Sequence, residues 1–238
     1  MKIAIFADIH GNKEALIAIL KDIEMQNIKD IICLGDVIGL GPNPKECMNL
    51  IIENNIKMVL GNHELYCLVG THIDNTIEEG EENHHQWIKG QLNDKHFEYL
   101  SKCKLSLEEV YNDKKVLYEH FLLKNNSKNE FPYCNLDILK DNSINQFIDN
   151  LGYDLVFVGH EHKEFSINNK LYCVGTSGCR LDSKTRYIIF DTDKFNVETI
   201  LVKYNREAFL DELLKYEYPE RLFISKWFFG YEIDKKFT

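Results

Sequence analysis

Within its first 60 residues the chain alternates short apolar runs with helical stretches. Residues 2–7 (KIAIFA), 30–34 (DIICL) and 56–60 (IKMVL) read as buried strands. Between the first two, Ala15, Leu16, Ile19, Leu20 and Ile23 recur at helical spacing behind Asn12, a capping residue. Between the second and third, Asn43-Pro44-Lys45-Glu46 has the form of a helix start, with a capping Asn and Pro at the first helical position. Cys47, Leu50 and Ile51 supply that helix's apolar face. Strand–helix–strand–helix–strand with short links restricts this part to right-handed crossovers and parallel pairing.

The rest of the chain changes character twice. Residues 64–104 are polar, and helical where they have a pattern, with Trp87, Leu92, Phe97 and Leu100 as apolar contacts. Residues 105–119 read as two strands around the turn signal Asn112-Asp113. A loop over 124–135 and a helix over 136–151 follow. Strands are then expected at 155–158, 164–167, 171–174, 186–191 and 197–202, with Asn168-Asn169 as a turn, then a helix over 207–216 and the aromatic tail 222–231 (LFISKWFFGY). Two strand-rich halves, each with helices, suggest two packed sheets covered by helices on both outer faces.

Composition limits the partners. The formal net charge of −10 and the lack of a basic stripe argue against bulk binding of nucleic acid. Seven cysteines, none in Cys-x-x-Cys spacing, argue against a disulfide framework or a zinc knuckle. Cys33 and Cys173 lie in strand-like runs and are expected as buried small hydrophobes. MKIAIFADIH lacks a signal-peptide core, and no run of about 18 apolar residues exists. A reduced, cytoplasmic protein with no membrane partner is expected.

Four apolar runs end in side chains that bind metal or move protons. KIAIFA leads to Asp8-x-His10, DIICL to Gly35-Asp36, IKMVL to Gly61-Asn62-His63-Glu64, and LVFV to Gly159-His160-x-His162. Ligands of open α/β sheets bind at the carboxyl ends of strands, so these ends can converge on one site. In extended chain, residues i and i+2 point to one side, which would let Asp8 and His10 share a centre, and likewise His160 and His162. The glycines before the ligands permit tight turns and close backbone approach. Asp36 can bridge two cations, Asn62 offers a neutral oxygen, and His120 is a further imidazole at a strand end. Mixed imidazole, carboxylate and amide suits Mn, Fe or Zn better than Ca. Two metals about 3.5–4 Å apart clamp a phosphate and lower the pKa of a bound water. His63, beside a ligand but not needed as one, is the expected general acid.

In this order the motifs, with the lone His120, resemble the calcineurin-like metallophosphoesterase superfamily over roughly residues 3–191. The resemblance implies an α/β fold (α+β by some schemes): a four-layer α-β-β-α sandwich of two mixed β-sheets flanked by helices. The helix and aromatic tail over 206–238 read, from their own residues, as packed on the domain or on a partner subunit of a homo-oligomer, and the resemblance implies a metallophosphoesterase domain over 1–205. It assigns Asp8, His10 and His162 to one metal, Asn62, His120 and His160 to the other, Asp36 to both, and His63 to proton donation. Two divalent or trivalent ions are implied, Mn foremost and Fe or Zn as alternatives, with hydrolysis of phosphate esters or anhydrides by a metal-bound hydroxide. Residues 35–42 with Glu46 are similar to small bacterial phosphodiesterases and diadenosine tetraphosphate hydrolases. Glu64 resembles the serine/threonine protein phosphatases, but their Asp-Arg-Gly is replaced here by Gly39-Leu40-Gly41. His120 precedes Phe121 where the family often has Gly; the alternative imidazoles His72, His84, His85 and His96 are expected on the solvated surface.

Substrate choice has weaker signals. Residues 64–104 read either as a helical cap supplying Tyr66, His85 or Trp87, or as a surface insertion packed by Trp87 and Leu92. Gly175-Thr176-Ser177-Gly178 with Arg180 reads either as a phosphate contact, beside Asn62 and His63, or as a plain Gly-rich turn. A small phosphorylated substrate, such as a nucleotide or dinucleoside polyphosphate, is the leading expectation. A nuclease, a protein phosphatase-like enzyme and a non-catalytic metal-binding scaffold are the alternatives.

Overall fold

The computed structural model describes residues 1–122, 146 and 148–233. Two mixed five-stranded sheets form its centre. The first joins β1 (Lys2–Phe6), β2 (Asp30–Cys33), β3 (Lys57–Met58), β9 (Lys184–Asp191) and β10 (Asn196–Lys203) in the order β10-β9-β1-β2-β3. The second joins β4 (Ser106–Tyr111), β5 (Lys114–Glu119), β6 (Leu155–Val158), β7 (Glu164–Ile167) and β8 (Leu171–Val174) in the order β4-β5-β6-β8-β7. Each has a parallel centre, β1-β2-β3 and β5-β6-β8, with antiparallel strands outside it.

Alternation along the strands fixes the layers. Ile3, Ile5, Ala7, Ile32 and Leu34 turn toward Val116, Tyr118, Leu155, Phe157 and Val174 of the second sheet. Ala4 and Phe6 turn the other way, against Leu16, Ile19 and Ile23 of α1 (Lys13–Met25) and Cys47, Met48 and Ile51 of α2 (Pro44–Glu53). β1 is therefore apolar on both faces because it is covered on both. Each such large side chain contributes about 1.5–3 kcal/mol of burial. On the outer face of the second sheet, Val156, Val158 and Leu171 pack with Leu122 and Ile148. The expected loop over 124–135, and the expected helix over 136–151 up to residue 145 and at 147, lie outside the described residues.

Local chemistry explains most boundaries. Asn12 Oδ1 accepts from the Ala15 N–H and caps α1. Asn112 and Asp113 both have positive φ, +50° and +63°, as a two-residue hairpin with the sheet's twist requires. Cys33 and Cys173 are buried, as expected. Two expectations are corrected. Asn43 precedes α2 without a side-chain cap: its Nδ2 donates to Glu212 (3.2 Å), and its Oδ1 accepts from no described group. The third strand shrinks to two residues, since Val59 and Leu60 pair with Lys104, just before β4.

Residues 62–100 form α3 (Asn62–Leu68), a 3-10 turn (Thr71–Ile73), α4 (Glu79–Gln91) and α5 (Asp94–Leu100). Ile88, Leu92 and Leu100 join the core around α2, so the second half of this segment packs as structure. The tail forms α6 (Arg206–Lys215) and α7 (Arg221–Phe229). Phe209, Leu213, Tyr218, Ile224 and Phe229 close on Ala15 and Leu40, and Tyr218 stacks on Trp87 at 4.8 Å. The tail thus lies against α1 and α4, beside the strand ends. Among the described residues no helix is long and apolar enough to cross a membrane.

Candidate metal centre

The loops that carry the motif side chains share one backbone feature. Asp8 (φ +56°), His10 (+49°), Asp36 (+50°), His160 (+67°) and His162 (+56°) all lie in the left-handed region. Non-glycine residues rarely adopt it, and each costs on the order of 1–3 kcal/mol unless the surroundings enforce it. This corrects the extended-chain geometry expected for Asp8-x-His10 and His160-x-His162. The paired side chains meet because both residues of each pair turn left-handed, not because a strand alternates.

Backbone hydrogen bonds enforce these turns. The Asp8, His10 and Gly11 N–H groups donate to the carbonyls of Gly35, Asp36 and Val37. The Ser177 and Gly178 N–H groups donate to Ala7 and Asp8, and Thr176 Oγ1 donates to the Asp8 carbonyl. The Gly-rich segment 175–178 is therefore a strap across the Asp8 loop, and these two N–H groups are engaged there. A Cβ on Gly61 would stand 2.1 Å from Asp36 Oδ1, so the two loops touch as only glycine allows.

Glu64 completes the frame, and sequence reading assigned it no such role. Its Oε2 accepts from the N–H groups of Asp36 (2.8 Å) and Gly61 (2.9 Å), and its Oε1 from Val37 (2.9 Å) and Ile38 (3.2 Å). Burial pushes this carboxyl up to about 7, as does the Asp36 charge, against backbone donors that favour the carboxylate. The helix-start spacing Gly61-x-x-Glu64 was the available signal.

All seven expected ligands come together. His10 Nε2 and His162 Nε2 stand 2.9 Å apart. Asp8 Oδ1 lies 3.8 and 3.7 Å from these two nitrogens. Asn62 Oδ1 lies 3.2 Å from His120 Nε2 and 3.0 Å from His160 Nδ1. Asp36 Oδ2 sits between the groups, 3.1 Å from His120 Nε2 and 3.9 Å from His10 Nε2. His63 Nε2 is also 3.9 Å from Asp36 Oδ2. His120 keeps its place despite Phe121: its Nδ1–H donates to the Leu34 carbonyl at 2.7 Å, which turns Nε2 inward.

The electrostatics describe a donor set. Burial pushes the Asp8 carboxyl up to about 8, and the neighbouring Asp36 charge adds to the rise. Burial acts on Asp36 too, but His120, His63 and His10 outweigh it and hold that carboxyl well below its usual range. Burial lowers His120, yet Asp36 raises it to about 9. Burial, first among the causes, holds His10 well below its ordinary value, His160 at about 3 and His162 at about 4. Three unprotonated imidazoles, a fourth paired with Asp36, and two crowded carboxylates in a dry site are a donor set that suits a divalent cation. The 2.9 Å between the His10 and His162 nitrogens approaches the roughly 3.0–3.4 Å expected for ligand atoms held about 2.1 Å from one ion. The residues fit the metal chemistry.

Other residues depart from expectation. Arg180 turns elsewhere: Nε donates to Asp182 (3.1 Å) and to the Lys184 carbonyl (2.9 Å), and Nη2 to Asp182 (3.0 Å). His84, His85 and His96 are buried rather than solvated, leaving only His72 of those four exposed. Cys179, not among the expected ligands, offers a thiol within 4.8 Å of His10 and His162 donor atoms. Burial pushes that thiol well above its ordinary value.

An uncharacterized protein of Methanocaldococcus jannaschii, MJ0912, is 32% identical over 248 residues, covering 94% of this chain and 98% of the relative. The crystal structure of hypothetical protein PH1004 from Pyrococcus horikoshii OT3 shares the fold, with a TM-score of 0.76 at 18% identity, covering 98% of this chain and 99% of that one. A shorter match, 32% over 71 residues, is to a symmetrical bis(5'-nucleosyl)-tetraphosphatase of Cronobacter sakazakii and spans 29% of this chain and 25% of that protein. The family model for calcineurin-like phosphoesterases matches residues 1–164. With that match over the first 164 of 238 residues, the chain belongs to the calcineurin-like phosphoesterase family.

Proposed function

We propose that this chain hydrolyses phosphate ester or anhydride bonds of small molecules with two divalent cations, manganese foremost. The observation that carries the reading is the convergence of two carboxylates, four imidazoles and one amide oxygen on one buried cluster. Asp8, His10 and His162 would hold one ion, Asn62, His120 and His160 the other, and Asp36 both. When bound, such a pair polarises phosphoryl oxygens and makes water acidic enough to attack near neutral pH.

The chain's own residues do the rest. Glu64 and the 175–178 strap hold the ligand loops, so little reorganisation accompanies reaction. His63 carries the proton for the departing oxygen: its Nε2 faces the cluster and its ring lines the adjoining cavity. Burial holds His63 at about 3, so the negative charge of bound substrate is what would raise its proton affinity to a working value. The net charge of −10 speaks against a polyanionic nucleic acid as substrate.

A panel of monoester, diester, dinucleoside polyphosphate and phosphopeptide with manganese-loaded protein tests this. Turnover of small substrates is expected, with little on the phosphopeptide. His63→Gln should lower turnover of alkoxide-leaving substrates about 10²–10⁴-fold and that of 4-nitrophenyl esters far less, because nitrophenolate departs without a proton. A manganese-loaded protein inert to the whole panel would sink the reading.

A further inference from the structure

Beside His63 opens a cavity of about 450 Å³, a size that takes a small organic ligand. One wall comes from the first turns of α4, the other from residues 220–228 of the tail. The seam between them is tied: His84 Nδ1 donates to the Pro219 carbonyl at 3.1 Å, and Trp87 stacks on Tyr218.

Three features define what this cavity accepts. Leu40, Ile224 and Phe228 give it an apolar, aromatic side, and Phe228 also touches the metal cluster, with its ring 6.1 Å from that of His162. His85 lines the cavity, is 2% exposed, and has no hydrogen-bond partner at either ring nitrogen. Its ring lies 4.9 Å from His63 and 4.8 Å from Tyr66. A buried polar group without a partner is costly, and a ligand hydroxyl or amine would satisfy it. Finally, Glu78, Glu81 and Glu220 stand on the rim; among the described residues none of them is in an ion pair, and no Lys or Arg lines the cavity. The three carboxylates feel one another: after burial and Asp74, the charges of Glu78 and Glu220 raise the Glu81 carboxyl.

We infer that this cavity receives the leaving group, and that the group is an uncharged or cationic alcohol with a planar apolar part, not a phosphate chain. The inference rests on the hydrolase reading above, in which His63 protonates the departing oxygen. The leaving group then lies on the side of His63, which is where the cavity opens. An aromatic alcohol stacks on Phe228, and its hydroxyl or amino donors meet His85 and the rim carboxylates. A nucleoside diphosphate, the leaving group of a dinucleoside tetraphosphate split symmetrically, would bring its charge against three carboxylates. The cavity therefore selects single phosphate esters over polyphosphates.

The test uses manganese-loaded protein and two substrates, a benzyl ester of thymidine 5'-phosphate and diadenosine tetraphosphate. The readout is the ratio of their kcat/KM values. The double substitution Glu81→Gln/Glu220→Gln should shift that ratio toward the tetraphosphate about tenfold. Phe228→Ala should raise the dissociation constant of adenosine about tenfold in calorimetric titration, a readout independent of turnover. An unchanged ratio, or adenosine binding indifferent to Phe228→Ala, overturns the inference while the hydrolase reading stands. Failure to cleave both of these substrates overturns the inference, and inertness of the manganese-loaded protein to the whole panel above overturns both readings.

Discussion

Asp36 and Glu81 are carboxylates of neighbouring regions under opposite control. Asp36 is 2% exposed, on a loop whose N–H groups are held by Glu64 and whose carbonyl is held by His10. Glu81 is exposed on α4, without an ion pair among the described residues. The metal cradle is built by backbone bonds that fix strained turns, whereas the cavity wall is built by side chains on two helices distant in sequence. Strain needs over-determination. A site held this way tolerates little change, and a wall made of side chains can vary while the chemistry stays constant.

The largest expected effect tests the cradle at its centre. Asp36→Asn removes one of the two carboxylates of the ligand cluster while keeping shape. Changes one step away from a metal typically cost 10–100-fold, so loss of the proposed shared ligand should exceed about 100-fold in turnover and empty at least one of the proposed metal sites. Metal analysis of the purified variant checks this, and near-normal metal content with near-normal turnover would break the assignment.

Glu64→Gln should come next. The carboxylate accepts from four backbone N–H groups, and an amide must turn its own NH₂ toward some of them. Buried donors left unpaired should cost about 2–4 kcal/mol of stability. Manganese affinity should fall as well, although Glu64 is not proposed to touch the ion. Unfolding by denaturant and a manganese titration read the two effects separately. Gly61→Ala belongs to the same tier, because its Cβ would meet Asp36 Oδ1 at 2.1 Å and the Asp36 nitrogen at 2.7 Å.

This division also governs what sequence reveals. The cradle is legible because its parts are short and local: Asp8-x-His10, Gly61-Asn62-His63-Glu64 and Gly159-His160-x-His162 each carry ligand and turn residue together. Strand ends brought them to one place, as the apolar runs implied. What the motifs hid was conformation, since nothing in Asp8-x-His10 announces φ values of +56° and +49°. The cavity was illegible for a different reason. His85 and Phe228 are 143 positions apart and share no motif, and a polar helix segment such as 79–85 reads as surface until its neighbour is known. His84, His85 and His96 were expected to be solvated for that reason, and tertiary packing buried them.

A pH titration sharpens the comparison at the cavity seam. Burial, with the His85 charge second, lowers His84 from 6.5 to about 3. The unfolded chain therefore binds this proton first as pH falls, so stability is full above pH 6.5 and declines progressively toward pH 3. For one such group the loss is about 2 kcal/mol between pH 6.5 and 5. His84→Gln keeps a donor for the Pro219 carbonyl without a titrating ring. Its melting temperature should fall less over that interval than that of the unchanged protein. Equal slopes would show that His84 is not held neutral by burial.

The smallest effect makes the sharpest contrast. Gly80, in the first turn of α4, resembles Gly61 in one respect: a Cβ there would stand 2.3 Å from Glu220 Oε1. By distance alone, Gly80→Ala and Gly61→Ala should be equally harmful. The obstacles differ, however. At Gly61 the contact is with a buried carboxylate and a backbone nitrogen held by Glu64. At Gly80 it is with the far end of an exposed glutamate, free to swing away. Alanine also gains up to about 1 kcal/mol over glycine within a helix. Gly80→Ala should therefore leave stability within about 0.5 kcal/mol of its starting value, or raise it. Denaturant midpoints of the two variants decide the matter: a drop for Gly80→Ala as large as that for Gly61→Ala would mean that the cavity wall is as rigid as the cradle.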